Sequence, residues 1–201
     1  MFNVKPAPSK TSISELIFGP YVNTPALNTE PLYIHYANNK ASLVAKTYMK
    51  TIEVSHLSAK LIVQEDYELH HMGAKLKGHF NRVEYKLNAH THDRTGVVKS
   101  FNAILPALAT DVYFKDVIGN ISTSNFRKES KRSVLELRPR YPLYGGWRFT
   151  WFHGFQVPTF EYLKWNTHSE TFVLSLPFGA SVRGLTIDQH TVKIILPEGS
   201  R

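Results

Sequence analysis

Residues 60–70, KLIVQEDYELH, alternate so regularly that they constrain the fold more than any other stretch of this chain. Successive side chains of a strand point to opposite faces. Leu61, Val63, Glu65, Tyr67 and Leu69 therefore share one face, and Ile62, Gln64, Asp66, Glu68 and His70 share the other. One face is mainly apolar and the other mainly polar, which suits an antiparallel sheet with one solvated side.

Short runs rich in Val, Ile, Thr and aromatic residues recur along the chain, separated by Gly, Pro, Asn or Asp, as in sandwiches and barrels. They predict strands over residues 32–36, 42–48, 51–55, 60–70, 97–105, 111–115, 134–138, 148–155, 171–176 and 186–196. The expected fold is all-β, an antiparallel β-sandwich with few short helical turns. Residues 1–31 read as an extended linker and residues 32–201 as the sandwich domain. One helical turn is expected over 12–17, with Ser12 as cap and Glu15 completing a capping box before Gly19 and Pro20. A second is expected over 105–110, with Pro106 at its start. The Pro/Asn/Thr-rich segment 19–31 and the Ser/Lys/Arg-rich segment 122–133 are the biased stretches, and the latter reads as a surface connection.

At 201 residues and 42% hydrophobic content, the chain can bury one sizeable core. It has no cysteine, which excludes disulfides, zinc–thiolate sites and thiol catalysis. Lys and Arg exceed Asp and Glu by 24 to 16, a formal charge of +8. The densest basic cluster, Arg127, Lys128, Lys131 and Arg132 around Glu129, sits in the Ser-rich stretch and reads as a solvated loop. A polyanion-binding module would instead need its cations on one face. The start of the chain lacks the apolar core of a signal peptide, and no later stretch approaches the roughly 20 apolar residues that span a bilayer. The chain as it stands is expected to be soluble.

Reactive constellations are thin. His70 adjoins His71, and His90 and His92 would share a strand face with Asp93 beside them. Their spacing matches no paired metal-binding motif, and residues 88–96 read as a polar loop. There is no G-x-S-x-G elbow or phosphate loop, and neighbouring carboxylates such as Glu65 and Asp66 point to opposite faces of their strand. No catalytic, cofactor-binding or metal-ligating residue is assigned, and no cofactor is expected. Trp147, Phe149 and Trp151 would share a face with Phe152 and Phe155 nearby. Such a set packs a core or lines a groove, and the tight turn before it favours the core. Phe160, Tyr162 and Trp165 also alternate, and the exposed members of that set are candidates for a partner contact. Asn120, Ile121 and Ser122 form the one N-x-S/T acceptor in the chain. The tripeptide alone leaves a glycan acceptor and an unmodified turn asparagine both open.

In the run VLELRPRYPLYGGW, residues 134–147, Pro139 and Pro142 restrict the backbone while Gly145 and Gly146 permit a tight reversal before Trp147. RPRYPLYGGW resembles the ribophorin I family. So, in the same order, do FGPY at 18–21, HYANN at 35–39, IEVSH at 52–56, HMGAKLKGHF at 71–80, residues 101–124 and TVKIILPEG at 191–199. The poorest match is Lys164 to Asp188. This resemblance implies a non-catalytic lumenal subunit of the oligosaccharyltransferase complex of the endoplasmic reticulum membrane. Its implied partners are the other subunits, including the catalytic one that holds metal and lipid-linked donor, and nascent polypeptide clients, with no nucleic acid. The parent would be membrane-anchored, although this chain holds no transmembrane segment. The resemblance also favours glycosylation of Asn120, and it implies further strands beyond residue 201, leaving an unpaired sheet edge near 191–196 and poor solution behaviour of the isolated chain. The rival reading is a β-sandwich carbohydrate-binding module or hydrolase with an aromatic groove.

Overall fold

Backbone pairing organises the computed structural model, which describes residues 8–12, 15–22, 34, 40–55, 57–87 and 96–200. The chain divides into two compact units, Met1–Asn38 and Asn39–Arg201. In the first, β1 (Pro8–Thr11) and β2 (Leu16–Phe18) form an antiparallel hairpin. Its turn is closed by the Ser12 amide, which donates to the Glu15 carbonyl at 2.9 Å. The helical turn expected over 12–17 is therefore corrected to a hairpin. The Ser12 hydroxyl donates to the same carbonyl, where a capping serine would accept from a helix amide. The strand expected at 32–36 and the 35–39 motif lie outside the described residues, apart from Ile34.

The second unit contains β3 (Leu43–Ser55), β4 (Lys60–His71), the short helix α1 (Arg82–Leu87), β5 (Phe101–Leu105), β6 (Thr110–Asp116), β7 (Asn125–Lys128), β8 (Ser133–Leu137), β9 (Arg148–Pro158), β10 (Leu163–Asn166), β11 (Thr171–Leu174) and β12 (Thr186–Ile195). A five-stranded sheet runs in the order β12-β3-β4-β9-β6, and a three-stranded sheet in the order β5-β8-β7. β10 and β11 form a separate hairpin. The fold is all-β, as expected, but the large sheet is mixed: β12 runs parallel to β3, its one strand partner among the described residues. No short hairpin joins these two strands, so antiparallel pairing is not imposed on them.

The alternation of β4 is realised residue by residue: Leu61, Val63, Glu65, Tyr67 and Leu69 are buried, and their neighbours are half-buried on the opposite face. Phe149, Trp151, Phe155 and Val157 of β9 face the same core, opposite Phe101, Ala103 and Leu105 of β5 and Leu135 and Leu137 of β8. Trp151 is its hub. Its ring stacks on Tyr67 at 4.6 Å, on Phe149 at 5.1 Å and on Phe101 of the smaller sheet at 5.4 Å. Side chains of this size contribute about 1.5–3 kcal/mol each when fully buried. The core reading of Phe149, Trp151 and Phe155 holds, with Trp147 half-buried at its rim.

Two strand boundaries differ from expectation for physical reasons. Residues 42–48 and 51–55 belong to one continuous strand, in which Lys50, between the two expected segments, is buried against Glu65. The Ser-rich basic stretch is not all connection: its residues Asn125–Lys128 form β7, which pairs with β8 and turns Phe126 towards the core. Helix α1 was not anticipated. Asn81 caps it by accepting from the amides of Val83 and Glu84, and it buries no residue. Around Pro106 the chain makes a single turn, in which the Ala109 amide donates to the Pro106 carbonyl at 3.1 Å.

Two of the sequence motifs meet at the end of β4. The Gly146 amide donates to the His71 carbonyl at 2.6 Å, and the His71 amide donates to the Trp147 carbonyl at 3.0 Å. Gly145 lies so close to the 73–74 backbone that a Cβ there would stand 2.0 Å from the Ala74 carbonyl oxygen. Gly146 occupies the left-handed region at φ +83°, where a side chain would be strained. The two glycines thus fit the YGGW turn against the HMGA segment.

Candidate functional site: the Asn120 hairpin and the polar rows of the large sheet

Asp116 ends β6 and builds the turn that carries Asn120. Its backbone exchanges hydrogen bonds with Gly119, and its carboxylate accepts from the amides of Ile118 and Gly119, both at 3.0 Å. Arg140, from the RPRYP segment, then clamps this turn. Its Nε donates to Asp116 Oδ2 at 2.6 Å, and its Nη2 donates to Asp116 Oδ1, the Gly119 carbonyl and the Asn120 carbonyl. Burial opposes charge on Asp116, but the guanidinium and the two amides outweigh it and hold the carboxyl below its usual range.

Asn120 and Ser122 are both exposed on this clamped turn, while Ile121 between them is buried. Val117 and Ile118 project beside them, 83% and 76% exposed. Asn120 also pairs antiparallel with Lys115, so its side chain lies on the same face as that of Lys115. Continuing across the sheet, Lys115 stands opposite Phe152, Phe152 opposite Asp66, and Asp66 opposite Met49. The outer face of the sheet therefore carries a row that begins at Asn120.

The adjacent row faces inward and is ionic. Lys50, Glu65 and His153 stand opposite one another on β3, β4 and β9, and all three are buried. Lys50 Nζ lies 3.3 Å from Glu65 Oε1 and donates to the carbonyls of Pro177 and Gly179. Glu65 Oε2 accepts from the Tyr67 hydroxyl at 2.6 Å and from both the hydroxyl and the amide of Ser181. Trp151 Nε1 donates to His153 Nδ1, which leaves Nε2 to donate to the Ser181 hydroxyl at 2.9 Å. Burial lowers the His153 pKa to about 4, so the imidazole is neutral at neutral pH. Burial would raise Glu65, but its surroundings hold it below its usual value. With His153 uncharged, the Lys50 ammonium and the two hydroxyls carry that effect. Burial next to Glu65 pushes the hydroxyls of Tyr48 and Tyr67 upward.

The serine, histidine and glutamate do not form a nucleophilic triad. In such a triad the imidazole accepts from the serine hydroxyl and takes its proton, whereas here the Ser181 hydroxyl donates a hydrogen bond to Glu65 and accepts one from His153. The row instead ties the divergent 164–188 segment to the sheet, and the Ser181 carbonyl accepts from the Ile104 amide of the smaller sheet. Sequence reading placed Glu65 on an apolar face without naming its partners. A carboxylate there is itself the signal that a buried cation or donors must meet it.

His71 is buried as a structural group, accepting from the Gly73 amide through Nδ1 and meeting the Gly96 carbonyl through Nε2. His70 pairs with Glu68 at 3.0 Å. His90, His92 and Asp93 lie outside the described residues. Among the described residues no group of three or more His, Cys, Asp or Glu is placed to hold a metal. No helix among them is long and apolar enough to cross a membrane. Of the second aromatic set, Tyr162 packs on the core while Phe160 and Trp165 are 71% and 53% exposed.

These features define a two-sheet β-domain with a buried ionic row and with Asn120 and Ser122 exposed on a clamped turn. A family model described as Ribophorin I matches residues 2–201, and the chain belongs to that family. It is 38% identical over 96% of its length to the dolichyl-diphosphooligosaccharide–protein glycosyltransferase subunit 1 of Caenorhabditis elegans, of which it covers 32%. It is 37% identical, again over 96% of its length, to subunit 1B of Arabidopsis thaliana, covering 41% of that protein. Subunit 1B of Oryza sativa subsp. japonica is 35% identical, with coverage of 96% and 40%. The chain thus spans about a third to two fifths of these curated relatives. Among solved structures it is slightly similar to native leukotriene A4 hydrolase from Saccharomyces cerevisiae, with a TM-score of 0.36 and 11% identity over 74% of this chain and 23% of that one.

Proposed function

We propose that this chain is a lumenal, non-catalytic module of an oligosaccharyltransferase subunit, and that Asn120 is its N-glycan acceptor. The observation that carries the reading is the match to the Ribophorin I family along residues 2–201, with relatives named as glycosyltransferase subunits. The structure supports a binding role in two ways. Its buried Ser181–His153–Glu65 contacts run in the non-nucleophilic sense, and its exposed Phe160 and Trp165 offer apolar anchors for neighbouring subunits or client chains. In this role the module supports assembly and holds clients near a separate catalytic subunit, on the lumenal side of the endoplasmic reticulum membrane.

Asn120 fits the acceptor role because it is exposed on a surface turn with the Ser122 hydroxyl two residues on. Protease protection of the full-length parent in intact microsomes tests the lumenal placement, and glycopeptide mass tests Asn120. The expected result is a protected domain whose glycan is lost in Asn120→Gln. A protease-accessible cytosolic domain, or an unmodified Asn120, contradicts the corresponding part.

A further inference from the structure

The outer row that starts at Asn120 leads into a groove on the large sheet, with a volume of about 430 Å³, lined in part by Val117, Phe152, Asp66, Met49, Gln189 and Thr191. Asn120 and Lys115 are paired, and Lys115 is opposite Phe152, so the acceptor side chain points to the groove's side of the sheet. Two strand spacings, about 10 Å, separate Asn120 from Phe152. That is within reach of the two innermost sugars of an N-linked glycan.

The lining has the chemistry a neutral sugar needs. Phe152 is half-buried, its ring held edge-on to Tyr113 at 6.2 Å, and an aromatic face attracts the weakly positive C–H groups of a pyranose. Asp66, Gln189 and Thr191 supply acceptors and donors for ring hydroxyls. Val117, three residues before Asn120, gives the groove an apolar wall on the side of the hairpin. The Arg140 clamp fixes the turn from which the glycan would leave, so its direction is set before any contact forms.

We infer that the glycan on Asn120 lies back across the outer face of the large sheet, its innermost sugars seated over Phe152 between Val117 and Asp66. The glycan then acts as a covalently attached cover for this face, which is otherwise open to solvent in the described residues. This inference rests on the acceptor reading of Asn120 and adds to it the place where the sugars rest.

The test is carried out on the chain produced in a secretory pathway with ¹³C-labelled sugars. Glycopeptide mass first reports whether Asn120 is occupied, and an unmodified Asn120 overturns both the acceptor reading and this inference. With Asn120 occupied, NMR of the innermost sugars is compared in the wild type, in Phe152→Leu, which keeps apolar bulk but removes the ring, and in Phe160→Leu as a control. Ring-current shifts in the wild type and the control that vanish in Phe152→Leu are expected. Enzymatic removal of the glycan from folded protein should also accelerate about threefold to tenfold in Phe152→Leu, the range of one aromatic contact. Wild-type sugar resonances at the positions of an unattached glycan overturn the seating alone and leave the acceptor reading intact.

Discussion

Arg140 holds Asp116 through two nitrogens, with Nε 2.6 Å from Oδ2 and Nη2 3.2 Å from Oδ1, and the same Nη2 reaches the carbonyl of Asn120. A residue of the RPRYP motif thereby fixes the turn of a strand pair more than twenty positions earlier. The motif is a clamp, and the Asn120 backbone is part of what it clamps.

Arg140→Ala leaves a buried carboxylate with only its turn amides as donors. The expected loss of stability is modest, because the guanidinium is itself about a third exposed and its contact is screened by solvent. Urea unfolding of the variant measures this as a lowered midpoint at unchanged slope. Arg140→Lys should recover only part of it, since an ammonium cannot make the forked contact.

The buried pair Lys50–Glu65 predicts non-additive substitutions. Lys50→Met alone strands the Glu65 carboxylate in the core and should cost about 3–5 kcal/mol. Lys50→Met combined with Glu65→Leu should cost much less than the sum of the two single changes. Strict additivity in a double-mutant cycle would mean that the two groups do not interact in the folded protein.

Buried His153 predicts an acid-side loss of stability. Its folded pKa of about 4 lies below the ordinary value of about 6.5. Between these limits the unfolded chain binds the proton and the folded chain does not, so stability falls as pH is lowered from 6.5 to 4, by about 3 kcal/mol in all. The stability supplied by the depressed carboxyls of Glu65 and Asp116 is lost only when pH falls further, through their folded pKa values. Asp66, raised by burial, acts in the opposite sense. Comparison with His153→Gln at each pH isolates the histidine, and the variant should show a flatter profile over this window.

Gly145→Ala should be among the most damaging single-methyl changes in the domain. Its Cβ would stand 2.0 Å from the Ala74 carbonyl oxygen, and backbone cannot yield there without breaking the pairing at His71. A loss of at least about 2 kcal/mol is expected, read as a fall in thermal midpoint. Gly179→Ala, where an added Cβ meets nothing within 4 Å, is the control.

Much of this architecture was legible in the sequence because alternation reports burial directly. Residues 60–70 gave away both faces of β4, and the aromatic spacing of Phe149 and Trp151 located the core. What sequence reading lost were features decided by distant partners. Lys50 lies in the gap between two expected strands, and only the facing Glu65 makes a lysine compatible with one continuous buried strand there. β7 was hidden among cations because a short strand of the smaller sheet needs only Phe126 to turn inward. Ser12 and Glu15 matched a helix cap but serve a hairpin turn, since pairing with β1 decided the outcome. Asn120 was legible as a tripeptide, whereas its clamp by Arg140 and its alignment with Phe152 exist only once the strands are registered.

The proposal that this domain belongs to a non-catalytic subunit of an oligosaccharyltransferase is tested by purifying the full-length parent from mildly solubilised microsomes. The eluate is assayed for transfer of lipid-linked oligosaccharide to an N-x-S/T peptide, alongside the 201-residue chain alone. Transfer activity is expected in the parent eluate and none in the isolated chain. A parent that purifies without the activity, or an isolated chain that carries it, rules out a non-catalytic oligosaccharyltransferase subunit.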